Sequence, residues 1–264
     1  RTDDAIGLWE QTLEVRERVL GPEHPDTLGT RNNLAAGYRA AGSVEDAITL
    51  DEQTLEVTER VLGPKHRGTL ASRNSLAEGY RAAGRTEAAI TLHEQTLAVK
   101  ERVLGPEHPS TLGSRNNLAN GYSDAGRVED AIELWERTLE VRERVLGPDH
   151  PDTLASRNNL AVGYSDAGRV EEAVRLDEQT LEVMERLLGP EHPDTLTSRN
   201  NLAVDYRAAR RVEEAIELDE PTLEVRERVS RLEHPDTVKS RNNLAEGYRA
   251  AGRIEDARKL ESRQ

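Results

Sequence analysis

Apolar residues recur along the chain at helical spacing, in two kinds of segment that alternate. In the first kind they share one face of a helix and follow a His-Pro-Asp-Thr run. In the first such segment these residues are Leu28, Leu34, Ala35 and Tyr38. Proline suits the first helical position, and Gly42 can supply the left-handed residue that ends a helix. The pattern therefore predicts a helix, called helix A here, that opens at Pro25 and ends at Gly42.

The second kind of segment predicts a helix B from about Val44 to Leu62. Its apolar stripe consists of Val44, Ala47, Ile48, Leu55, Val61 and Leu62. Gly63-Pro64 ends this helix and opens the next segment. Because only two or three residues join helix A to helix B, the two helices must be antiparallel neighbours.

The pair of segments repeats with a period of 42 residues. A half repeat occupies residues 1–20, full repeats occupy 21–62, 63–104, 105–146, 147–188 and 189–230, and a truncated repeat occupies 231–264. Neither helix can bury its apolar face alone, whereas stacked pairs bury it continuously. We therefore predict a single all-α repeat array over residues 1–264. Because the chain starts without Met and within a repeat, we also expect it to be a piece of a longer protein.

The residues Asn33-Leu34-Ala35, Tyr38, Gly42 and Ala47 resemble the tetratricopeptide motif. The period and the HPDT…NNLA…Y…G…EDA pattern are similar to the longer-repeat class found in kinesin light chains. Similar arrays occur in bacterial signalling proteins with a nucleotide-switch domain, especially in actinobacteria. The resemblance implies a right-handed superhelical solenoid of antiparallel helix pairs, with a groove that binds a peptide or protein. It implies no particular ligand.

Two positions that are apolar in the family are polar here. One, in helix A, is always arginine: Arg31, Arg73, Arg115, Arg157, Arg199 and Arg241. The other lies on the inward stripe of helix B: Asp51, His93, Trp135, Asp177 and Asp219. A buried carboxylate must be paired or become neutral. We therefore predict that Asp51, Asp177 and Asp219 meet an arginine of this ladder in a structural pair. The alternative is that the arginines bind an acidic ligand.

A second ladder in helix A consists of asparagines: Asn32, Asn74, Asn116, Asn158, Asn200 and Asn242. By the resemblance, this position faces the concave groove, where an amide can donate to and accept from a peptide backbone at once. A nearby position varies between repeats and includes Arg39, Arg81 and Arg207. These residues are the predicted peptide-binding groove. The alternative is that the asparagines cap helices or bridge loops.

The composition of the chain limits the kinds of partner that it is expected to bind. The chain has 50 acidic and 36 basic residues and a net charge of −14, which disfavours nucleic acid and anionic membrane. It has no Cys, no signal peptide and no apolar run long enough to cross a membrane, so the cytoplasm is expected.

Six histidines recur once per repeat: His24, His66, His108, His150, His192 and His234. Equivalent residues in packed helices lie too far apart to share a metal, so we expect cap or turn roles and no cofactor.

Catalysis has no basis in the sequence, because it contains neither a GxxxxGK[ST] phosphate loop nor a GxSxG motif. The favoured function is a scaffold that binds a peptide or protein segment. Two alternatives stay open: a structural module that associates end to end, and the sensor or recruiting arm of a larger nucleotide-switch protein.

The fifth repeat departs from the pattern of the other repeats. Arg210 replaces the helix-ending glycine, and Pro221 inside helix B predicts a kink.

Overall fold

The computed structural model of the chain describes residues 2–230 and 233–262. Within these ranges it contains thirteen α-helices and no strand. In chain order they are α1 (Thr2–Leu20), α2 (Pro25–Ala40), α3 (Val44–Leu62), α4 (Arg67–Ala82), α5 (Thr86–Leu104), α6 (Pro109–Asp124), α7 (Val128–Leu146), α8 (Pro151–Asp166), α9 (Val170–Leu188), α10 (Pro193–Ala208), α11 (Val212–Val229), α12 (Pro235–Ala250) and α13 (Ile254–Glu261). The even-numbered helices are the A helices and the odd-numbered ones the B helices, so the predicted all-α repeat fold is confirmed. None of the helices in the described ranges is long and apolar enough to cross a bilayer.

The chain divides into two compact units, Arg1–Leu134 and Trp135–Gln264. In unit 1 each A helix packs between the B helices that precede and follow it. Around α6, for example, Ile90 of α5 contacts Leu118, and Leu134 of α7 packs against the same cluster. Glycine permits the close approach of these helices, since a Cβ at Gly79 would lie 3.0 Å from the Cγ1 atom of Ile48. This arrangement buries the apolar stripe that neither helix could bury alone.

Unit 2 repeats the same packing around α10 and α12. Val174 of α9, Leu202 of α10 and Leu218 of α11 form one cluster. Ile216 of α11 and Leu260 of α13 belong to the next cluster, around α12. The 42-residue periodicity of the sequence therefore becomes a periodic core in each unit.

Each A helix begins at its histidine. The Nδ1 atom of His24 accepts a hydrogen bond from the backbone N–H of Asp26 at 3.2 Å, which satisfies one free donor at the start of α2. The same bond forms at His66, His108, His150, His192 and His234. The expected cap role of the histidines is therefore confirmed.

In the fifth repeat, a residue shortly after helix A keeps the left-handed backbone conformation of the other repeats, although it is not glycine. Gly42 has a φ of 84°, and Arg210 adopts a φ of 61° at the equivalent place. A left-handed conformation costs a residue with a Cβ about 1–2 kcal/mol. Helix α11 continues through Pro221 from Val212 to Val229, and the kink expected there stays a prediction.

Candidate functional site

The arginine ladder of the A helices pairs with glutamates of the preceding B helices. Arg115 is a clear case: its Nε and Nη2 atoms donate to Oε1 of Glu101 at 3.2 and 2.8 Å, and its side chain is 7% exposed. The corresponding pairs are Arg31–Glu17, Arg73–Glu59, Arg157–Glu143, Arg199–Glu185 and Arg241–Glu227. These arginines therefore join helix A to the helix before it.

The aspartates of the B helices meet a different arginine. Nη1 of Arg39 donates to Oδ2 of Asp51 at 2.7 Å, and Nη1 of Arg207 donates to Oδ2 of Asp219 at 2.9 Å. The prediction that the ladder arginines pair with Asp51, Asp177 and Asp219 is thus corrected. The physical reason is the position of each arginine along helix A. Arg31 lies eight residues, or about 12 Å, before Arg39, which is too far from Asp51 on the following helix. Arg31 therefore pairs with Glu17 of the preceding helix.

The carboxylates of Asp51 and Asp219 are completely buried. Burial raises the pKa of Asp51 to about 6, although Ser75 and Arg39 act in the opposite direction. Burial likewise raises the pKa of Asp219 to about 7 against the effect of Arg207. Arg39 and Arg207, which the sequence analysis placed in the groove, therefore also hold buried acids.

Other side chains at this B-helix position are buried too. His93 is 1% exposed and Trp135 is 3% exposed. Burial lowers the pKa of His93, and within the described residues neither of its ring nitrogens has a hydrogen-bond partner. A neutral imidazole thus fills the place of the aspartate.

Within the described residues no arginine pairs with Asp177, because Ser165 occupies the equivalent position on α8. Asp177 is 2% exposed, and among the described residues its Oδ1 atom has no hydrogen-bond partner. A second carboxylate, Asp205 of α10, lies beside it and is 5% exposed. The hydroxyl of Ser165 donates to Oδ1 of Asp205 at 2.9 Å. Burial, reinforced by Asp205, raises the pKa of Asp177 to about 8.

The asparagine ladder takes part in contacts between neighbouring A helices. Nδ2 of Asn32 donates to Oγ of Ser72 at 3.3 Å, and Nδ2 of Asn200 donates to Oγ of Ser240 at 2.8 Å. Asn200 is buried, Asn242 is exposed, and the other four asparagines are half-buried. The ladder therefore lies at the edge of the exposed face of the A helices, with part of its hydrogen-bonding capacity already used.

A polar cavity of about 520 Å³ opens on the A helices of unit 1. It is lined by Arg39, Glu78, Arg81, Ala82, Thr86 and Asp124. Nη1 of Arg81 donates to Oδ2 of Asp124 at 3.1 Å. Arg39 and Arg81, two of the predicted groove residues, thus line one cavity.

An apolar cavity of about 370 Å³ opens on the A helices of unit 2. Its walls are Asp149, Pro151, Leu154, Ala155, Asn158, Met184, Leu187, Leu188, Asp194 and Thr197. Met184 replaces a cation found at this position in most repeats: Lys100, for instance, donates to the hydroxyl of Ser114 of the next A helix at 2.8 Å. The methionine leaves this surface apolar, and Asn158 of the predicted groove lines it.

In residues 2–230 and 233–262, no group of three or more His, Asp or Glu side chains could hold an ion. The candidate site consists of the two cavities and the half-buried polar groups of the A helices.

Comparison with known proteins agrees with this architecture. Models described as "Tetratricopeptide repeat" match residues 1–26, 26–102, 77–127, 110–185, 158–220 and 200–263. The chain belongs to the tetratricopeptide repeat family. Proteins of this family generally mediate protein–protein interactions. Among curated proteins, none matches this chain.

Solved structures of other tetratricopeptide repeat proteins share the fold. A kinesin light chain-like protein of Podosopora anserina with nearly identical TPR-like repeats is 37% identical, with a TM-score of 0.70 over 77% of this chain and 96% of that one. BtubC of P. vanneervenii is 23% identical, with a TM-score of 0.71 over 83% and 89%. A Signal Transduction ATPase with Numerous Domains from Pyrococcus horikoshii, with a tetratricopeptide repeat sensor, is 15% identical, with a TM-score of 0.74 over 99% and 40%. The last two likenesses concern the fold alone.

Proposed function

We propose that the chain is a protein–protein interaction scaffold that holds an extended peptide segment against the A helices of unit 2. The observation that carries this proposal is the apolar cavity around Met184, which adjoins a face where Val162 and Val204 are 50% and 42% exposed. Exposed apolar side chains beside a cavity are typical of binding surfaces. Asn158 borders the same cavity and can position a peptide backbone.

A selection from a random twelve-residue peptide library on the immobilised chain tests this function. Selected peptides are expected to bind the wild type in fluorescence anisotropy and to lose at least tenfold in affinity with Met184→Arg, which restores the cation of other repeats. Met184→Leu keeps the cavity apolar and should retain binding.

Val103→Glu is the matched control, since Val103 is exposed on a B helix of unit 1. Circular dichroism of each variant checks that the helices form. Failure to select any peptide, or equal binding to the wild type and Met184→Arg, would refute the proposed groove.

Self-association is a second candidate, favoured by the exposed face of α1. Leu8 and Val15 are 64% and 48% exposed, whereas their equivalents in the B helices from α3 to α11 are half-buried, and Leu260 of α13 is buried. A second copy that packs on α1 would cover them. Sedimentation should then show concentration-dependent association that Leu8→Glu abolishes, and a monomer at all concentrations would contradict it.

A scaffold of this kind can also serve as the sensor or recruiting arm of a larger nucleotide-switch protein. The sensor described for the Pyrococcus horikoshii protein has the same fold, and that likeness is compatible with such a role. Peptide binding that changes the nucleotide hydrolysis rate of the full-length protein would support it, and an unchanged rate would contradict it.

A further inference from the structure

Two repeats show how this fold accommodates a buried aspartate in helix B. In both, an arginine twelve residues earlier, in the last turn of helix A, places its guanidinium group on the carboxylate. Arg39 reaches Asp51 at 2.7 Å, and Arg207 reaches Asp219 at 2.9 Å. The guanidinium partly offsets the cost of burying the charge.

The repeat at 147–188 keeps the aspartate and lacks the guanidinium. Position 165 is serine, a side chain too short to reach Asp177 as an arginine would. In the described part of the chain, no Arg or Lys forms an ion pair with Asp177 or Asp205. The Oδ2 atoms of Asp51 and Asp219 accept hydrogen bonds from their arginines, whereas their Oδ1 atoms, like that of Asp177, have no partner among the described residues. Within those residues the carboxyl of Asp177 therefore differs by lacking the guanidinium that the chain supplies in the other two repeats.

Asp205 adds a second acid at the same place. The equivalent residues Gly79, Gly121 and Gly247 lie so close to the preceding B helix that a Cβ would stand 3.0–3.2 Å from an isoleucine Cγ1 atom. Opposite Asp205 that isoleucine is replaced by the smaller Val174. Arginine to serine, glycine to aspartate and isoleucine to valine thus change together at one spot, and all three changes create or admit negative charge.

We propose that Ser165, Asp177 and Asp205 form a pocket that receives the guanidinium group of an arginine side chain from the bound peptide. The ligand's arginine would take the place that Arg39 and Arg207 fill in their own repeats. The proposal rests on the peptide-binding function proposed above and names the chemistry of one contact. A guanidinium group prefers to donate two parallel hydrogen bonds to carboxylate oxygens.

The position of this pocket also sets a spacing in the ligand. Ala155, on the wall of the apolar cavity, and Ser165 lie ten residues apart on α8, which corresponds to about 15 Å. An extended peptide covers this distance in about four or five residues at roughly 3.3 Å each. The preferred ligand therefore carries an apolar side chain and an arginine about four or five positions apart.

The peptides selected in the library experiment test the pocket directly. They are expected to contain an arginine at this spacing from an apolar residue. Replacement of that arginine with citrulline keeps its shape but removes its charge. It should weaken binding at least about tenfold, because hydrogen bonds to a charged group are stronger than those to a neutral one. Ser165→Arg supplies the chain's own guanidinium, and should cause the same loss without unfolding the protein.

Proton release gives an independent readout. Burial, together with Asp205, raises the pKa of Asp177 to about 8. Burial also raises the pKa of Asp205, with a smaller contribution from Asp166 and against the effect of Ser165. A bound guanidinium would favour the ionised form of these carboxyl groups, which would then release protons. Calorimetry in two buffers at pH 7 should detect this proton release when the arginine peptide binds, but not when its citrulline form binds.

The outcomes separate the two proposals. If no peptide binds the wild type, both fall. If peptides bind through the Met184 cavity, but lack arginine or tolerate citrulline without loss, the guanidinium pocket alone is overturned. The double variant Asp177→Asn with Asp205→Gly should abolish the preference for arginine over citrulline, and retention of that preference would also overturn the pocket.

Discussion

Replacing Asp177 with asparagine is expected to stabilise the protein, and the gain should grow as the pH rises. The fold raises the pKa of Asp177 from 3.8 to about 8, because the carboxyl is buried beside Asp205. Between these two values the folded chain holds a proton that the unfolded chain has released. Stability must therefore fall as the pH rises through this window. The contribution of this carboxyl is complete below pH 3.8 and is lost by pH 8. Asparagine has no proton to bind and removes this dependence.

The size of the effect follows from proton linkage. One proton bound only by the folded state changes the free energy of unfolding by about 1.4 kcal/mol for each pH unit. From pH 6 to pH 8, the advantage of Asp177→Asn over the wild type should therefore grow by about 2–3 kcal/mol. Such a change is large beside the total stability of about 5–15 kcal/mol that is usual for a domain.

Urea denaturation at constant ionic strength, followed by circular dichroism at 222 nm at pH 6, 7 and 8, measures this difference. Asp51→Asn is the matched control. Asp51 is equally buried, but its pKa is raised only to about 6, so the effect of that variant should level off above pH 6. A difference between Asp177→Asn and the wild type that stays constant from pH 6 to 8 would refute the reasoning.

Further predictions concern single contacts, each checked by the same urea denaturation. Arg210→Gly should stabilise by about 1–2 kcal/mol because it relieves the left-handed backbone, and no gain would contradict that cost. Pro221→Gln should stabilise by up to about 3 kcal/mol by restoring a helical hydrogen bond, and destabilisation would contradict it. His108→Ala should cost about 1 kcal/mol, whereas His108→Asn keeps a cap; equal losses would argue against the cap. Glu101→Ala leaves Arg115 without its carboxylate and should cost more than about 1 kcal/mol, part of which the added Arg115→Met recovers. Additive effects of these two changes would exclude the pair.

The helices follow from the sequence because their signals are local and repeated. Pro25, Gly42 and the apolar spacing define the ends and the faces of each pair, and the structure places α2 and α3 where they predict. The predicted core differs at Val61, which is 40% exposed. The buried stripe of α3 is centred on Ala47, Asp51, Thr54 and Thr58, and Val61 lies at its edge in the last turn.

The apolar periodicity of the sequence did not predict which polar residues are buried in the core. Thr27 and its equivalents are completely buried in every A helix, yet threonine carries no apolar signal in the sequence. The sequence indicated that Asp51 needed a partner, but not which arginine. That choice depends on the distance along helix A, because Arg39 and Arg31 differ by eight positions and contact different helices. Met184 is visible in the sequence as the one apolar residue at a position that is otherwise cationic, apart from Thr58.

Repetition makes such departures informative in a way that a single domain does not allow. A feature present in every unit, such as the pair of Arg115 with Glu101, serves the stacking that every unit requires. A feature confined to one place needs a local cause, and three such changes lie within α8 to α10: Met184, Asp205, and the combination of Ser165 with Asp177, since the other serine at this position, Ser123, is combined with Trp135. Two of these changes leave carboxylates without a cation, which costs stability rather than adding to it. Stacking alone gives no reason to keep such a cost, whereas the proposed guanidinium ligand does.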